Sequence, residues 1–374
     1  MNKKPRTSSK NSLNSETHRI ATPIAGPLLA WYDRYGRRDL PWQHPRSPYR
    51  VWVAEIMLQQ TQVATVVDYF ERFMQRFPTV AELAEASLDE VLANWAGLGY
   101  YARGRNLHHA ARIITTRFGG ELPGDLTALV RLPGIGRSTA GAILAQAFDQ
   151  RHAILDGNVK RVLSRYHAVP GWPGRRETER TLWAWAEFHT PHERLADYTQ
   201  AIMDLGATVC RSRRPDCPNC PIAPGCRALA LGSVEQFPEK RPKAPMPEKH
   251  TAMVLVINND AQILLERRPP LGIWGGLLSL PEMDENADVR AFCRETLCCD
   301  ITDIERGPPY RHTFSHFHLL ITPYRARFKE FCGVMADERR DWYNLETLNK
   351  LGLATPIRRL IQTNIHSTQG IRAV

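Results

Sequence analysis

The chain has 374 residues, of which 43% are hydrophobic, and its 49 Lys and Arg against 39 Asp and Glu give a formal net charge of +10. This length and composition suffice for at least one substantial core and predict two globular domains, while the positive charge suits a polyanionic partner, either nucleic acid or an anionic membrane surface. No apolar run approaches the roughly 20 residues that span a bilayer, and the polar, basic start lacks an apolar signal core, so we expect a soluble, intracellular protein.

The first part of the chain predicts a tail followed by helices. Residues 1–20 are rich in Ser, Asn, Lys and Thr and predict a disordered basic tail without a catalytic role. Ser47 and Pro48 suit the N-cap and first position of a helix whose apolar positions recur as far as Phe77, where Pro78 ends it. Further helices are predicted near 87–96, 100–117, 125–131, 138–148, 157–167, 176–189 and 194–209. Residues 21–232 should therefore form an all-α domain.

Glu55 lies inside the apolar stretch VWVAEIML of the first of these helices. A carboxyl group in apolar company has a raised pKa and stays protonated near neutral pH, which makes Glu55 a candidate general acid. The alternative is a partly exposed helix glutamate that pairs with a neighbouring Arg.

The segment LPGIGRSTA, residues 132–140, separates two predicted helices. Its glycines, Gly134 and Gly136, would let backbone amides at the start of the second helix approach a phosphate closely. The pattern is typical of a helix-hairpin-helix motif, although an ordinary turn between helices could also carry it.

Asp156 follows the apolar stretch AIL and opens DGNVKR, where it suits an N-cap. An aspartate at a helix N-terminus is expected to stay ionised, and an anion is what an oxocarbenium-like sugar needs as its bond to a base breaks. Glu55 and Asp156 could thus divide acid and carboxylate roles as the two carboxyls of glycosidases do.

Four cysteines follow with the spacing C-x6-C-x2-C-x5-C, at Cys210, Cys217, Cys220 and Cys226. Four soft thiolates on one short loop can wrap a compact cofactor, and only one pair has the C-x2-C spacing that zinc ribbons use twice. We therefore predict a [4Fe-4S] cluster, with zinc as the alternative and disulfides third. The nearby Arg211, Arg213 and Arg214 favour a structural role, in which the cluster fixes a loop that presents cations to phosphate.

The sequence changes character after the cysteines. Residues 233–249 carry four prolines and many charges, which predicts an extended linker. Beyond it, the segments TAMVLVI and QILLERR around Asn258-Asn259-Asp260 predict a β-hairpin, HFHLLITPYRARF predicts a strand and PIRRLIQTNI a closing helix. Residues 250–374 should therefore form an α+β domain.

With these residues assembled, residues 22–365 resemble the helix-hairpin-helix DNA glycosylases and, within them, the adenine glycosylases of the MutY type. The resemblance is carried by SPYRVWVAEIMLQQTQVATV, GLGYYARGRNL, LPGIGRSTAGAIL, ILDGNVKRV and the four-cysteine loop, which occur in the family's order. It implies that Glu55 protonates adenine N7, that Asp156 faces the anomeric carbon and that Asn158 supports it. It also implies that Trp42 lines the base pocket and that Gln60 and Tyr100 enter the duplex beside the mispair.

Ser138 separates two related activities. Bifunctional relatives of the endonuclease III type carry a lysine there that attacks the sugar as a nucleophile, so this chain should remove a base without efficient strand cleavage. Lys160 could still give slow, adventitious Schiff-base chemistry. The resemblance thus places six residues in DNA or base binding beside Trp42: Gln60, Tyr100, Gly134, Gly136, Ser138 and Lys160.

The C-terminal domain resembles a Nudix fold with a different role. Gly276 to Glu282 preserve the G-x5-E opening of the Nudix box, but the stretch from Arg290 to Glu295 has lost most of its carboxylates, so nucleotide hydrolysis is not expected. The segment RHTFSHFH instead matches the family's Phe-Ser-His loop, which implies that Phe314, Ser315 and His316 examine the oxidised guanine.

The combined prediction is a monomeric base excision repair enzyme of the bacterial cytoplasm, associated with the nucleoid when it acts. Its partner would be double-stranded DNA with adenine opposite 8-oxoguanine or guanine, and it would bind no membrane. Two alternatives stay open: an endonuclease III-like glycosylase and lyase, and a non-catalytic lesion-binding relative. The intact carboxyl pair argues against the latter.

Overall fold

The computed structural model describes residues 22–241, 245–269, 272–333, 337 and 339–366. The tail predicted over residues 1–20 lies outside them. The chain divides into two compact units, which we call the first unit (Met1–Arg38 and Leu144–Arg241) and the second unit (Asp39–Ile143 and Pro242–Val374). The division therefore falls inside the helical region, and the linker bounds predicted from composition stay a prediction.

The helical elements follow one another up to the cysteine loop, and two more helices belong to the C-terminal region. In chain order they are α1 (Ala25–Tyr35), α2 (Pro48–Leu58), α3 (Val63–Arg76), α4 (Val80–Glu85), α5 (Leu88–Trp95), α6 (Ala102–Phe118), α7 (Leu126–Val130), α8 (Arg137–Ala147), α9 (Gly157–Tyr166), α10 (Arg176–His189), α11 (Leu195–Asp204), α12 (Arg227–Ala230), α13 (Val289–Thr296) and α14 (Thr355–His366). No helix among the described residues is long and apolar enough to cross a membrane.

The predicted helices are confirmed with one correction. The single helix expected from Pro48 to Phe77 is two helices, because the chain breaks at residues 59–62 and Gln60 adopts a left-handed backbone conformation with φ of 58°. Val51 lies in α2 and Val63 in α3, although the apolar residues between them recur as they would in one helix. The spacing of apolar residues therefore does not reveal where the helix ends. Ser47 does cap α2, accepting a hydrogen bond from the amide of Arg50.

The helical part of the second unit packs around aromatic side chains. Phe73 lies edge-on to Trp95, with ring centroids 5.9 Å apart, and at 4.8 Å from Phe77. These three side chains and Phe70 are completely buried. Burial of large aromatic surfaces stabilises this region and fixes α3 against α5, from which the chain enters α6.

The C-terminal part of the second unit is an eight-stranded sheet with helices, as the α+β prediction requires. Its strands are β1 (Glu248–Ile257), β2 (Gln262–Arg267), β3 (Leu278–Ser279), β4 (Glu282–Met283), β5 (Cys299–Arg306), β6 (Tyr310–Thr313), β7 (His318–Phe331) and β8 (Arg340–Asn344). The central path runs β3-β2-β1-β7-β5, and β1 pairs with β7 in parallel from Glu248 opposite His318 to Ile257 opposite Arg327. The predicted hairpin is confirmed, with β1 and β2 antiparallel.

Candidate functional site

Glu55 lies on α2 of the second unit, between fully buried neighbours. Ala54 and Ile56 are each 1% exposed, whereas Glu55 itself is half-buried. Trp42, also in the second unit, is buried and packs edge-on against Phe70 with a centroid distance of 5.5 Å. The helix thus presents one carboxyl group from an otherwise apolar surface.

Asp156 caps the N-terminus of α9 in the first unit. One carboxylate oxygen accepts a hydrogen bond from the amide of Val159 at 2.8 Å, and the other accepts one from the side-chain amide of Asn158 at 3.2 Å. Burial raises the pKa of Asp156 above its ordinary value, while these hydrogen bonds and the charge of Arg161 act to lower it. The net direction is opposite to the one that capping alone predicts.

Arg161 connects this carboxylate to the cysteine loop. Its guanidinium donates to the side-chain oxygen of Asn158 at 2.8 Å, which turns the amide nitrogen of Asn158 towards Asp156. It also donates to the carbonyl oxygens of Gly206 at 2.5 Å and Cys210 at 2.8 Å. A side chain at Gly206 would place its Cβ 2.6 Å from the Cβ of Asn158, so only glycine fits there.

The four cysteines of the loop line one cavity of the first unit, together with Arg165 of α9. Burial, reinforced by the neighbouring thiols, raises the pKa of Cys220 to about 11 and also raises that of Cys217 and Cys226. Arg165 donates to the sulfur of Cys210 at 3.4 Å. Within the described ranges, no three Cys, His, Asp or Glu side chains are placed to hold a metal ion. The four thiols therefore line this cavity without lying close enough together to bind a single metal ion.

The hairpin between α7 and α8 lies in the second unit. Gly134 has φ of 81°, and a Cβ there would lie 2.9 Å from the Cβ of Asn106, so the turn requires glycine. A Cβ at Gly136 would meet nothing within 4 Å, which leaves its backbone open to approach. Ser138 is half-buried in the first turn of α8. In the first unit, the Lys160 ammonium pairs with Glu179 at 2.7 Å.

Gln60 and Tyr100 come from two loops that one buried arginine ties together. Both residues are exposed and both have positive φ, 58° and 49°. Arg103, 7% exposed, donates hydrogen bonds to both segments. Its acceptors are the carbonyl oxygens of Ile56, Met57, Gln59, Leu98 and Gly99 and the hydroxyl of Thr61, at 2.5–3.3 Å. Strained backbone of this kind persists only where the surroundings determine it.

A cleft of about 870 Å³ in the second unit is lined by Gln60 and Tyr100 and by the turn that holds Phe314, Ser315 and His316. This turn joins β6 to β7, and the amide of Phe314 donates to the carbonyl of Phe317 at 2.9 Å. Ser315 and His316 are exposed, and the hydroxyl of Ser315 lies 3.3 Å from Nδ1 of His316. Five residues singled out from the sequence thus share one cleft.

Three residues of the site were not assigned a role from the sequence: Arg103, Arg161 and Trp274. The first two occur inside GLGYYARGR and DGNVKR, so their motifs marked the right segments. Their role depends on which carbonyl groups the fold brings within reach, and spacing does not reveal this. Trp274, which also lines the cleft, lies two residues before Gly276. The resemblance to the Nudix box drew attention to that glycine and not to the tryptophan.

Glu282, the carboxylate of the G-x5-E opening of that box, already has hydrogen-bond partners. It accepts hydrogen bonds from Arg268 at 2.5 Å and from the hydroxyl of Thr251 at 2.9 Å. The carboxylates of the predicted acid pair, Glu55 and Asp156, belong to different compact units, and their convergence on one nucleotide stays a prediction.

Comparison with known proteins places both regions in families. Residues 53–188 match the model of the HhH-GPD superfamily of base excision DNA repair proteins, and residues 252–363 match a NUDIX domain. A protein of Buchnera aphidicola subsp. Baizongia pistaciae called adenine DNA glycosylase is 36% identical, covering 89% of this chain and 94% of its own length. One of Mus musculus with the same name is 34% identical, covering 94% of this chain and 79% of its own.

A solved structure supports the fold of the helical region. The structure of a thermostable thymine-DNA glycosylase matches with a TM-score of 0.51 and 27% identity, covering 56% of this chain and 95% of its own. The predictions of a helix-hairpin-helix glycosylase region followed by a Nudix-like region are therefore confirmed.

Proposed function

We propose that this chain, which belongs to the adenine DNA glycosylase family, hydrolyses the glycosidic bond of adenine paired with 8-oxoguanine or guanine in double-stranded DNA. The observation that carries the choice of substrate is the cleft that Gln60 and Tyr100 share with Phe314, Ser315 and His316. Gln60 and Tyr100 are suited to enter a duplex, and the turn of residues 314–316 is suited to contact the base opposite the adenine. We propose that the enzyme acts as a monomer.

Extrusion of the adenine would use Gln60 and Tyr100. An enzyme that acts on a base must remove it from the stack, and a mispair lowers the energy that this requires. Tyr100 is 49% exposed, and the Arg103 guanidinium lies 5.3 Å from its ring centroid, so a planar side chain is held ready to replace the lost stacking. Gly134 and Gly136 of the hairpin would hold the phosphate backbone through their amides.

Glu55 would protonate N7 of the extruded adenine, so that the base leaves as a neutral molecule when its bond to C1′ breaks. Trp42 would line the pocket that receives the base. Asp156, oriented by Asn158, would stabilise the positive charge that develops on the sugar. A water molecule then adds to C1′, its proton is lost, and an abasic site remains. Because Asp156 is largely shielded from solvent, its negative charge would interact strongly with the positive charge on the sugar.

Strand cleavage is not part of the proposed reaction. Ser138 stands where lyases of the endonuclease III type have a lysine, and the amine of Lys160 is occupied by Glu179. Nucleotide hydrolysis by the Nudix-like region is disfavoured as well, because Glu282 is engaged and Ala291 and Arg294 stand where the box has carboxylates.

We also propose that Cys210, Cys217, Cys220 and Cys226 bind a [4Fe-4S] cluster. The four cysteines line one cavity, and thiolates brought this close together need a positive group to offset their charge, which irons provide. A cluster of several irons also keeps its ligand sulfurs farther apart than a single ion does. When bound, the cluster would cross-link the loop that exposes Arg211, Arg213 and Arg214 to DNA phosphates.

The substrate is tested with duplexes that carry adenine opposite 8-oxoguanine, guanine or thymine. Alkali after incubation should reveal abasic sites in the first two duplexes and none in the third, because only the purine-opposed adenines are substrates. Samples without alkali should remain intact. Abundant borohydride-trapped adduct on oxidised-pyrimidine DNA would instead support the endonuclease III-like alternative, and a complete lack of base release would support the non-catalytic one.

The variant Glu55→Gln should bind the mispaired duplex as the wild type does and lose adenine release by about 10²–10⁴-fold, because the amide cannot donate the acidic proton. Single-turnover rates and a binding titration separate the two effects. Glu71→Gln, on an exposed position of α3, is the matched control and should react normally. Normal turnover by Glu55→Gln would refute the assignment of the acid.

The rate should fall on the acid side as Asp156 becomes neutral, at a pH above the ordinary value of 3.8 because burial raises its pKa. Asn158→Ala removes a hydrogen bond that favours the carboxylate, so the acid limb of the pH–rate profile should move to higher pH. Asn94→Ala, whose amide donates to the carbonyl of Glu90 instead, should leave the limb in place. A limb that stays put or moves to lower pH in Asn158→Ala contradicts this role.

The purified protein should be brown, with broad visible absorption and about four irons per chain. Cys217→Ser should lose most of this absorption, whereas Cys332→Ser, an exposed cysteine of the Nudix-like region, should retain it. A colourless protein that contains zinc would rule out the iron-sulfur assignment.

A further inference from the structure

The loop that supports Phe314 has an unusual backbone. Gly272, Trp274 and Gly276 have φ of 94°, 51° and 75°, so three residues within five adopt the left-handed conformation. Trp274 is 8% exposed, and its ring lies 5.8 Å from that of His312 and 5.7 Å from that of Phe314. The position of Phe314 in the cleft therefore depends on the loop of residues 272–276, whose conformation needs contacts from other segments of the chain.

Two arginines hold this loop. Arg105 of α6 donates a hydrogen bond to the carbonyl of Gly275, and its Cδ lies 3.3 Å from where a Cβ on Gly276 would be. Arg267 donates to the carbonyl of Gly276 at 3.0 Å and forms a bidentate pair with Asp89, at 2.6 and 2.7 Å. Arg105 is half-buried, and burial lowers its pKa, which is the cost of bringing its charge to this position.

The first turns of α6 thus control both sides of the cleft. Arg103 fixes the loops of Gln60 and Tyr100, and Arg105, two residues later, fixes the loop behind Phe314. Because α6 is a regular helix that runs from Ala102 to Phe118, the separation between the two anchoring residues is nearly constant. A change at Arg105 should loosen the loop behind Phe314, which Arg267 still contacts at Gly276, and leave the loops of Gln60 and Tyr100 in place.

We propose that Arg105 is a positioning residue for lesion discrimination, which acts by holding the Trp274 loop so that Phe314 and its neighbours face the base opposite adenine at a fixed distance. The proposal rests on the proposed function of the cleft. Arg105 also lines the cleft, and a direct phosphate contact would be a different role. That role predicts a similar loss on every duplex and a weaker salt dependence.

The test compares single-turnover rates on adenine opposite 8-oxoguanine and adenine opposite guanine. In Arg105→Met the aliphatic stem remains against Gly276, and only the charged head is lost. The ratio of the two rates should fall about five- to tenfold, as the loss of one charge-assisted hydrogen bond suggests. Arg105→Lys can still donate a hydrogen bond to the carbonyl of Gly275, so its rate ratio should lie between those of Arg105→Met and the wild type. Arg112→Met, on an exposed position of the same helix, should leave it unchanged.

A double-mutant cycle with Phe314→Ala identifies the route of the effect. If Arg105 acts through the loop, Arg105→Met should change the ratio little further in the Phe314→Ala background. Additive losses, a uniform loss on both duplexes, or an unchanged ratio in Arg105→Met would overturn the proposal. If Arg105→Met does not fold, Arg105→Lys carries the cycle, with an expected two- to threefold fall in the ratio. A wild type without preference for 8-oxoguanine would defeat the proposed reading of the lesion itself, whereas a preference that Arg105 variants retain defeats only this inference.

Discussion

The cleft depends on one buried charge. The guanidinium of Arg103 lies in the second unit, and burial lowers its pKa to about 10. Removing such a charge from water costs several kcal/mol, which is recovered only if oxygen atoms replace the lost water. Carbonyl groups at the end of α2 and in the loop before α6 supply them. The same hydrogen bonds flank Gln60 and Tyr100, which both have a left-handed backbone conformation, so the contacts that satisfy the buried charge also hold the two loops of the cleft.

In the first unit a second arginine has a comparable role. Arg161, on α9, donates a hydrogen bond to the carbonyl of Cys210. It also donates to the side-chain oxygen of Asn158, which turns the amide nitrogen of Asn158 towards Asp156. A change in the cysteine loop would therefore reach the carboxylate of Asp156 through three successive hydrogen bonds: Arg161 to the carbonyl of Cys210, Arg161 to Asn158, and Asn158 to Asp156. A cofactor bound by the cysteines would, through these contacts, fix the orientation of the Asn158 side chain that donates to Asp156.

Most helices could be predicted from the sequence because their apolar spacing and caps are local properties. Helices α1, α4, α12 and α13 were not predicted, and the break at Gln60 was missed. That break interrupts a continuous apolar pattern, and Arg103, whose hydrogen bonds hold the segment around it, lies more than 40 residues away in sequence. The carboxyl groups, the cysteines and the turn of Phe314, Ser315 and His316 were singled out by motif and by family resemblance. The side chains that hold them in place were not, since their partners are backbone carbonyls, which have no signature in a sequence.

The parallel pairing of β1 with β7 has a consequence for synthesis of the protein. The ribosome releases β1 about 70 residues before its partner strand is complete, and during that interval a long apolar strand has an open edge. The turn of residues 314–316 directly precedes β7, so this wall of the cleft is among the last parts of the molecule to be ordered. A chain that stops short of β7 would leave this edge of β1 unpaired, and because residues 39–143 share a compact unit with the sheet, late truncations should also disturb helices far from them in sequence.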